Sequence, residues 1–185
     1  MDYEQLDSKD RIYNGPRNDN ESYVIYGEEA LAVADGTVVR VIDGIAENVP
    51  GEYPEGITIE EADGNAVILD LGGDNYALYA HFQPGSIRGQ EGDRVERGDV
   101  LGLVGNSGNS VAPHLHFHVM SRPLSLASNG LPYAIDSYMI LGETPGTAAF
   151  DQAEAGGQPL DIDRFDPPVE SNGTLPLDQV VVGFD

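Results

Sequence analysis

The four histidines of this chain lie in two short segments. His81 stands alone, and the run His114-Leu115-His116-Phe117-His118 carries the other three. Alternation along a strand would place these three imidazoles on one face. Neighbours in such a row lie about 7 Å apart at Cα and can converge on one metal ion, whereas the outer pair, roughly 13 Å apart, cannot easily do so. At most two of the three are therefore expected to bind one ion directly.

The residue types narrow the possible chemistry. The chain has no cysteine, which excludes a disulfide, a thiolate metal site and a cysteine nucleophile. A metal ion must then use imidazole nitrogens and carboxylate oxygens, a donor set that suits zinc. A cupin site is disfavoured because the expected downstream carboxylate and further histidine do not follow, and no Gly-x-Ser-x-Gly elbow supports serine hydrolysis. The structural alternative is a half-buried strand whose histidines lie at the surface without a chemical role.

Strand patterns surround both histidine segments. The turn Gly72-Gly73-Asp74-Asn75 predicts a hairpin that leads into the strand of His81. No stretch has a sustained period of 3.6 residues, so very little helix is expected. The predicted fold class is all-β and antiparallel, with long loops. Strands are predicted at residues 30–34, 36–42, 65–71, 76–82, 92–105 (a pair), 115–120 and 133–141.

The length of 185 residues suits one domain with a hydrophobic core. We predict a β domain at residues 1–141, with its core motifs at 26–120. Residues 142–173 are rich in Gly, Pro, Ala and acids, which predicts an acidic loop or a partly disordered connection. Residues 174–185 are apolar enough to dock on the domain as a C-terminal strand.

The net charge of −23 restricts the possible partners. It disfavours binding to nucleic acid or to an anionic membrane. The acidic surface has two interpretations, ordinary solubility or adaptation to high salt, where screening relieves self-repulsion. No segment approaches the roughly 18 apolar residues of a membrane helix. The start, Met1-Asp2-Tyr3-Glu4, lacks the pattern of a secretion signal, so an exported protein would carry its signal upstream. A monomer is expected.

Several motifs resemble a known family. Ala112-Pro113-His114-Leu115-His116-Phe117 resembles the His-x-His signature of the lysostaphin/LytM-type zinc endopeptidases, which cut peptidoglycan cross-bridges. Tyr79-Ala80-His81-Phe82 resembles their Tyr-x-His-Leu segment, and residues 32–39 and 92–108 resemble the strands and glycine turns between the two motifs. The resemblance spans about residues 26–120. It implies a duplicated-hybrid-motif, barrel-sandwich-like β fold, one zinc ion, a peptide substrate in peptidoglycan and a place outside the cytoplasm if the wall is the target.

The resemblance also implies roles for individual histidines. His116 matches a zinc ligand, and His114 and His81 match the catalytic pair. His118 stands where the family often has a glutamate, and the distance argument favours a residue at the rim or behind a ligand over a direct ligand. The asparagines of the loop at 106–110 are expected to shape the groove rim rather than to take part in chemistry.

The chain departs from the family pattern upstream. The family has two more zinc ligands there, a histidine and then an aspartate, but no histidine precedes His81. One interpretation is a degenerate site in which Asp19 or Glu21 is a relic. The other, which we favour, is a member truncated at its N-terminus: the start of the chain resembles a strand of the longer family members, Asp2 is the aspartate ligand, and the histidine lies before Met1.

We therefore expect a zinc-dependent endopeptidase that acts on cell-wall cross-bridges. Asp2 and His116 supply two protein ligands where a catalytic zinc needs three, so zinc binding should be weak and hydrolysis impaired. The alternative is a catalytically inactive binding or regulatory module on the same fold. A carrier module related to biotinyl or lipoyl domains is disfavoured because it needs a lysine at a hairpin tip, and Lys9 is the only lysine.

Overall fold

The structure is a computed structural model that describes residues 1–184. The chain forms two compact units. The first comprises Met1–Gln5 and Gly15–Leu131, and the second comprises Leu6–Asn14 and the chain from Pro132 onward. All four histidines and Asp2 belong to the first unit. Among the described residues, no helix has the length and apolar character needed to span a membrane.

Short strands build the first unit, joined by glycine-rich turns and by single turns of 3-10 helix. The strands are β1 Asp2–Tyr3, β2 Glu29–Leu31, β3 Gly36–Ile42, β4 Asn65–Asp70, β5 Tyr76–Phe82, β6 Arg94–Val95, β7 Val100–Leu103, β8 Leu115–Met120 and β9 Gly130–Leu131. The 3-10 turns are Asn20–Ser22, Ile59–Glu61 and Ser125–Ala127.

One antiparallel sheet carries the core of this unit. Its strand order is β1-β8-β5-β4-β3-β6, β9 pairs with the end of β8, and β2 pairs separately with β7. Buried side chains from the three central strands pack on one face of this sheet: Ala66, Ile68, Leu78, Ala80 and Met120. The predicted hairpin is present as β4 and β5, and the predicted antiparallel all-β class is confirmed.

The loop at residues 44–64 is fastened to the sheet by Asn65. This side chain is fully buried. Its Oδ1 accepts from the Ile45 amide at 2.8 Å, and its Nδ2 donates to the carbonyls of Ile45 at 2.8 Å and Phe82 at 2.9 Å. The Asn65 amide donates to Ser107 Oγ at 2.9 Å. One residue thus ties the insertion, the end of β5 and the loop before β8 together.

The second unit differs from the prediction at residues 142–173, where an acidic or partly disordered loop was expected. It contains β10 Ile135–Glu143, the helix α1 Thr147–Gly156, β11 Asp163–Thr174 and β12 Val180–Gly183. The helix was not predicted because Ala153 is the one buried residue that it contains, so its sequence has no apolar periodicity. Strand β11 was not predicted because most of its residues are exposed and because it contains Pro167 and Pro168. Prolines are tolerated in a strand at the edge of a sheet, which is where β11 lies.

The predicted boundary at residue 141 also differs from the structure. β10 pairs with β11 on one side and with β12 on the other, so it belongs to the second unit rather than to the β domain predicted at 1–141. Its partners come from later in the chain, which local patterns do not reveal. Within the segment 174–185 the structure has the strand β12, and residue 185 of this segment lies outside the described residues.

We expect Asn65→Ala to lower the free energy of unfolding by roughly 2–4 kcal/mol, because it removes three side-chain hydrogen bonds to the backbone of Ile45 and Phe82. Chemical denaturation measures the loss. Asn18→Ala, at an exposed position, is the matched control and should change stability by less than about 0.5 kcal/mol. Equal effects of the two substitutions would contradict the structural role assigned to Asn65.

Candidate metal and catalytic centre

Strand β8 places His116 beside a carboxylate, and His114 directly precedes this strand. Its neighbour β1 pairs Asp2 directly with His116. Asp2 Oδ1 lies 2.6 Å from His116 Nδ1 and 3.7 Å from His114 Nε2. The structure therefore brings together three of the predicted site residues, two adjacent members of the histidine row and the aspartate.

A β-bulge brings His81 to the same place. In the pairing of β5 with β8, Ala80 lies opposite His116, so the two share a sheet face and strict alternation would turn His81 to the other face. The β4–β5 register shifts next to this position, however, and His81 has a left-handed φ of 68°. Its ring centroid lies 4.7 Å from that of His114 and 5.8 Å from that of His116. The bulge thus re-aims His81 into the site.

Backbone carbonyls orient two of the rings. His81 Nδ1 lies 2.7 Å from the Ser107 carbonyl oxygen, and His114 Nδ1 lies 2.9 Å from that of Ala112. A carbonyl oxygen only accepts hydrogen bonds, so each Nδ1 carries the proton and donates it. Each Nε2 is left with its lone pair. The site therefore presents two imidazoles in the tautomer that can accept a proton or bind a cation through Nε2.

Burial determines the charge states. It lowers the pKa of His81 to about 3, and the neighbouring His114 adds to this effect because two positive charges would repel. Burial also lowers the pKa of His114. The pKa of Asp2 falls to about 2, chiefly because its carboxylate accepts the hydrogen bond from His116. At neutral pH two neutral imidazoles thus stand beside an ionised carboxylate.

The donor atoms fit a metal ion such as zinc in type and in placement. Ligand atoms of His81, His114 and His116 all lie within 4.8 Å of one another, with Asp2 Oδ1 beside two of them. Nitrogen and carboxylate oxygen are the donors that zinc accepts where thiolates are absent. His118 is set apart: its Nδ1 lies 2.9 Å from His116 Nε2, the ring nitrogen that does not face Asp2.

The other two candidate carboxylates, Asp19 and Glu21, lie at a 3-10 turn. Asp19, one of the two possible relics, caps the 3-10 turn at Asn20–Ser22 by accepting a hydrogen bond from the Glu21 amide at 3.1 Å. Neither Asp19 nor Glu21 is a member of the histidine group. Asp2 is the carboxylate that the structure brings within 2.6 Å of a histidine nitrogen.

The loop at residues 106–110 differs from the prediction. Asn106 was expected at a groove rim but is fully buried, and its Nδ2 donates to Asn20 Oδ1 at 3.0 Å. The carbonyls of Ser107 and Ala112, which orient His81 and His114, were not predicted at all. They are backbone groups, which carry no side-chain signature in a sequence. The glycine-rich composition of this loop was the available signal, because it marks close backbone approach.

Comparisons with known proteins agree with these motifs. The family model described as Peptidase family M23 matches residues 22–128. Endolysin 2638A of Staphylococcus phage 2638A is 32% identical over 130 residues, which is 64% of this chain and 26% of that protein. Peptidoglycan DD-endopeptidase ShyA of Vibrio cholerae is 34% identical over 73 residues, covering 38% of this chain and 16% of that protein.

A third relative is similar over a comparable stretch. Glycyl-glycine endopeptidase ALE-1 of Staphylococcus capitis is 31% identical over 101 residues, which is 53% of this chain and 26% of that protein. The chain thus spans about a quarter or less of the length of these curated relatives.

A substitution at Gly64 tests whether close packing against this residue holds the Ser107 carbonyl in place. A Cβ at Gly64, where φ is +63°, would meet the Ser107 carbonyl oxygen at 2.5 Å. Gly44 is the matched control, because φ is +92° there and no described atom lies within 4 Å of an added Cβ. Both alanines strain the backbone by about 1–2 kcal/mol. We expect Gly64→Ala to lose roughly 1–3 kcal/mol more than Gly44→Ala in chemical denaturation, and to weaken the Nδ1–H signal of His81 in NMR spectra. Equal losses and an unchanged His81 signal would contradict this packing.

His81 should make the protein acid-sensitive. Its folded pKa of about 3 lies below the ordinary value of 6.5. Between these two pH values the unfolded chain binds a proton that the folded protein excludes, so stability is full above pH 6.5 and falls as the pH falls. His114 contributes with the same sign. His81→Gln should therefore show a shallower loss of unfolding free energy from pH 7 to pH 4 than the unsubstituted protein, both measured with chelator. Parallel pH profiles would contradict a buried neutral His81.

Proposed function

Because the chain belongs to Peptidase family M23, as the match over residues 22–128 shows, we propose that it is a zinc-dependent endopeptidase of peptidoglycan cross-bridges. The observation that carries this proposal is the convergence of Asp2, His114 and His116 with His81. The names of two relatives, a peptidoglycan DD-endopeptidase and a glycyl-glycine endopeptidase, support a peptide of the cell wall as the substrate class.

Asp2 and His116 are the proposed zinc ligands, through Oδ1 and Nδ1. The 2.6 Å between these atoms places both donors at one point. When bound, zinc supplies Lewis-acid chemistry, which polarises a carbonyl group and makes water a nucleophile near neutral pH. Asp2 contributes the negative charge that offsets part of the charge of a divalent cation.

His114 is the proposed general base. Its Nδ1 proton is held by the Ala112 carbonyl, so Nε2 is free to accept a proton as water attacks the scissile carbonyl. The imidazolium that forms lies 3.7 Å from the Asp2 carboxylate, which stabilises the new positive charge. The same Nε2–H then donates its proton to the leaving amine nitrogen. His81, oriented by the Ser107 carbonyl, presents a second proton-accepting nitrogen to this space.

Asp2 and His116 are two protein ligands, and a catalytic zinc site has three. No histidine precedes His81 to supply the third in the way that the family resemblance implies. We therefore propose that residues 1–185 bind zinc weakly and hydrolyse slowly. The alternative proposal is a binding or regulatory module without catalysis, and the same shortage of ligands is the observation that favours it.

The test is hydrolysis of purified peptidoglycan by the chain with added zinc, with and without chelator. Two substrates, one with glycine cross-bridges and one with direct D-amino-acid cross-links, identify the bond class. We expect slow, chelator-sensitive release of new amino termini. His114→Ala and His81→Ala should each lower the rate by about 100-fold or more, because each removes a proton-transfer group. Asn18→Ala, a substitution at an exposed position, is the control and should leave the rate unchanged.

The outcomes separate the two proposals. Absence of chelator-sensitive cleavage from both substrates under saturating zinc would sink the hydrolase proposal. Retention of the chain on peptidoglycan without cleavage, unaffected by chelator, would support the binding module. Cleavage that persists in His114→Ala would leave a hydrolase but remove His114 from its mechanism.

A further inference from the structure

We propose that His118 is a positioning residue that holds His116 in the tautomer and orientation a metal ligand needs. This inference rests on the proposed function, since it concerns the ligand His116. His118 Nδ1 lies 2.9 Å from His116 Nε2, within hydrogen-bond distance, and the two rings meet edge to face at 79° with centroids 5.1 Å apart. Neither the family match nor the grouping of donor atoms around Asp2 assigns a role to this residue.

A contact between two ring nitrogens requires one proton. In the structure, His116 Nδ1 donates to the ionised Asp2 at 2.6 Å, and His116 Nε2 shares one proton with His118 Nδ1 at 2.9 Å. To act as a ligand through Nδ1, His116 must instead carry its proton on Nε2. That proton then donates to His118 Nδ1, while His118 carries its own proton on Nε2. The hydrogen bond between His116 and His118 is therefore kept when Nδ1 of His116 gives up its proton to serve as a ligand.

The positions of Asp2 and His118 argue against direct ligation by His118. They occupy opposite nitrogens of the His116 ring, Asp2 at Nδ1 and His118 at Nε2. Asp2 and His116 would hold a shared ion through Nδ1, and the imidazole ring separates this nitrogen from His118. Hydrogen bonding of the second ring nitrogen is what fixes a metal-binding histidine in tautomer and orientation. His118 is placed to do this for His116.

Strand pairing makes His118 a rigid partner. It lies on β8, two residues beyond His116 and on the same face, and it is paired with Leu78 of β5. Leu78 is fully buried, and the residues that flank His118 on β8, Phe117 and Val119, are buried as well. His118 itself is partly exposed. A backbone fixed on both sides therefore presents the imidazole, and removing the ring should disturb the fold little.

The test compares zinc affinity of the chain and of two variants, by competition with a chromophoric chelator at fixed pH. His118→Ala should weaken binding by about 10–100-fold, because His116 loses the partner of its second nitrogen. His118→Asn should recover most of that loss, since its Oδ1 stands near the place of Nδ1 and accepts from His116 Nε2–H. His116→Ala should remove the site. Thermal unfolding of the metal-free variants checks that each is folded.

A spectroscopic measurement gives a second readout. In nitrogen-15 NMR spectra of the zinc-loaded chain, His116 should appear as the Nε2–H tautomer with a proton protected from exchange. We expect that protection to disappear in His118→Ala and to return in His118→Asn. A merely structural role for His118 would not move this signal selectively.

Three results would overturn the inference. One is an unchanged zinc affinity in His118→Ala. Another is an equal, complete loss in His118→Ala, His118→Asn and His116→Ala, which would make His118 a ligand. The third is the absence of any zinc binding that depends on His116. Zinc affinity is measured without substrate, so this test is independent of hydrolysis. If zinc binding depends on His118 but the chain does not cut peptidoglycan, this inference stands and only the hydrolase proposal is lost.

Discussion

Antiparallel pairing of β8 between β1 and β5 is the constraint on which the candidate site depends. It joins Asp2 to His116 across 114 positions of sequence, and it places the start of the chain on the same sheet as the end of β5. Strand side chains alternate with a period of two, so a slip of one residue in the β1–β8 register would turn the carboxylate to the opposite face. Two hydrogen bonds of 2.9 Å between the backbones of Met1 and Phe117 hold this register.

The bulge at His81 breaks this regular order and brings the His81 ring close to those of His114 and His116. Left-handed backbone at a residue other than glycine costs about 1–3 kcal/mol and persists only where the surroundings enforce it. Here they do. The His81 amide donates to the Asp63 carbonyl, and the His81 carbonyl accepts from the Gly105 amide, both at 3.0 Å. The backbone groups that leave the ladder are thus satisfied by two loops, which are themselves tied to β4 through Asn65.

Much of this arrangement could be predicted from the sequence. The central strands, the hairpin at Gly72–Asn75 and the shared face of the β8 histidines follow from local pattern, and the His-x-His motif led to the family. The face of His81 could not be predicted, because alternation gives the wrong answer at a bulge. The carbonyls that orient the histidine rings could not be predicted either, because every residue has a backbone carbonyl and the sequence does not distinguish among them. Helix α1 and the edge strand β11 lacked apolar periodicity, the signal on which such predictions depend.

The electrostatics of the site follow from the same packing. Burial favours the uncharged form of an imidazole, so the packing that encloses His81 and His114 also keeps them neutral at neutral pH. Asp2 is less enclosed, with 61% of its side chain exposed, and it keeps its charge because His116 donates to it. The neutral imidazoles of His81 and His114 and the ionised carboxylate of Asp2 thus lie together within a protein of net charge −23. Such a field concentrates cations and repels anions, and it therefore favours a metal ion over an anionic ligand at this point of the surface.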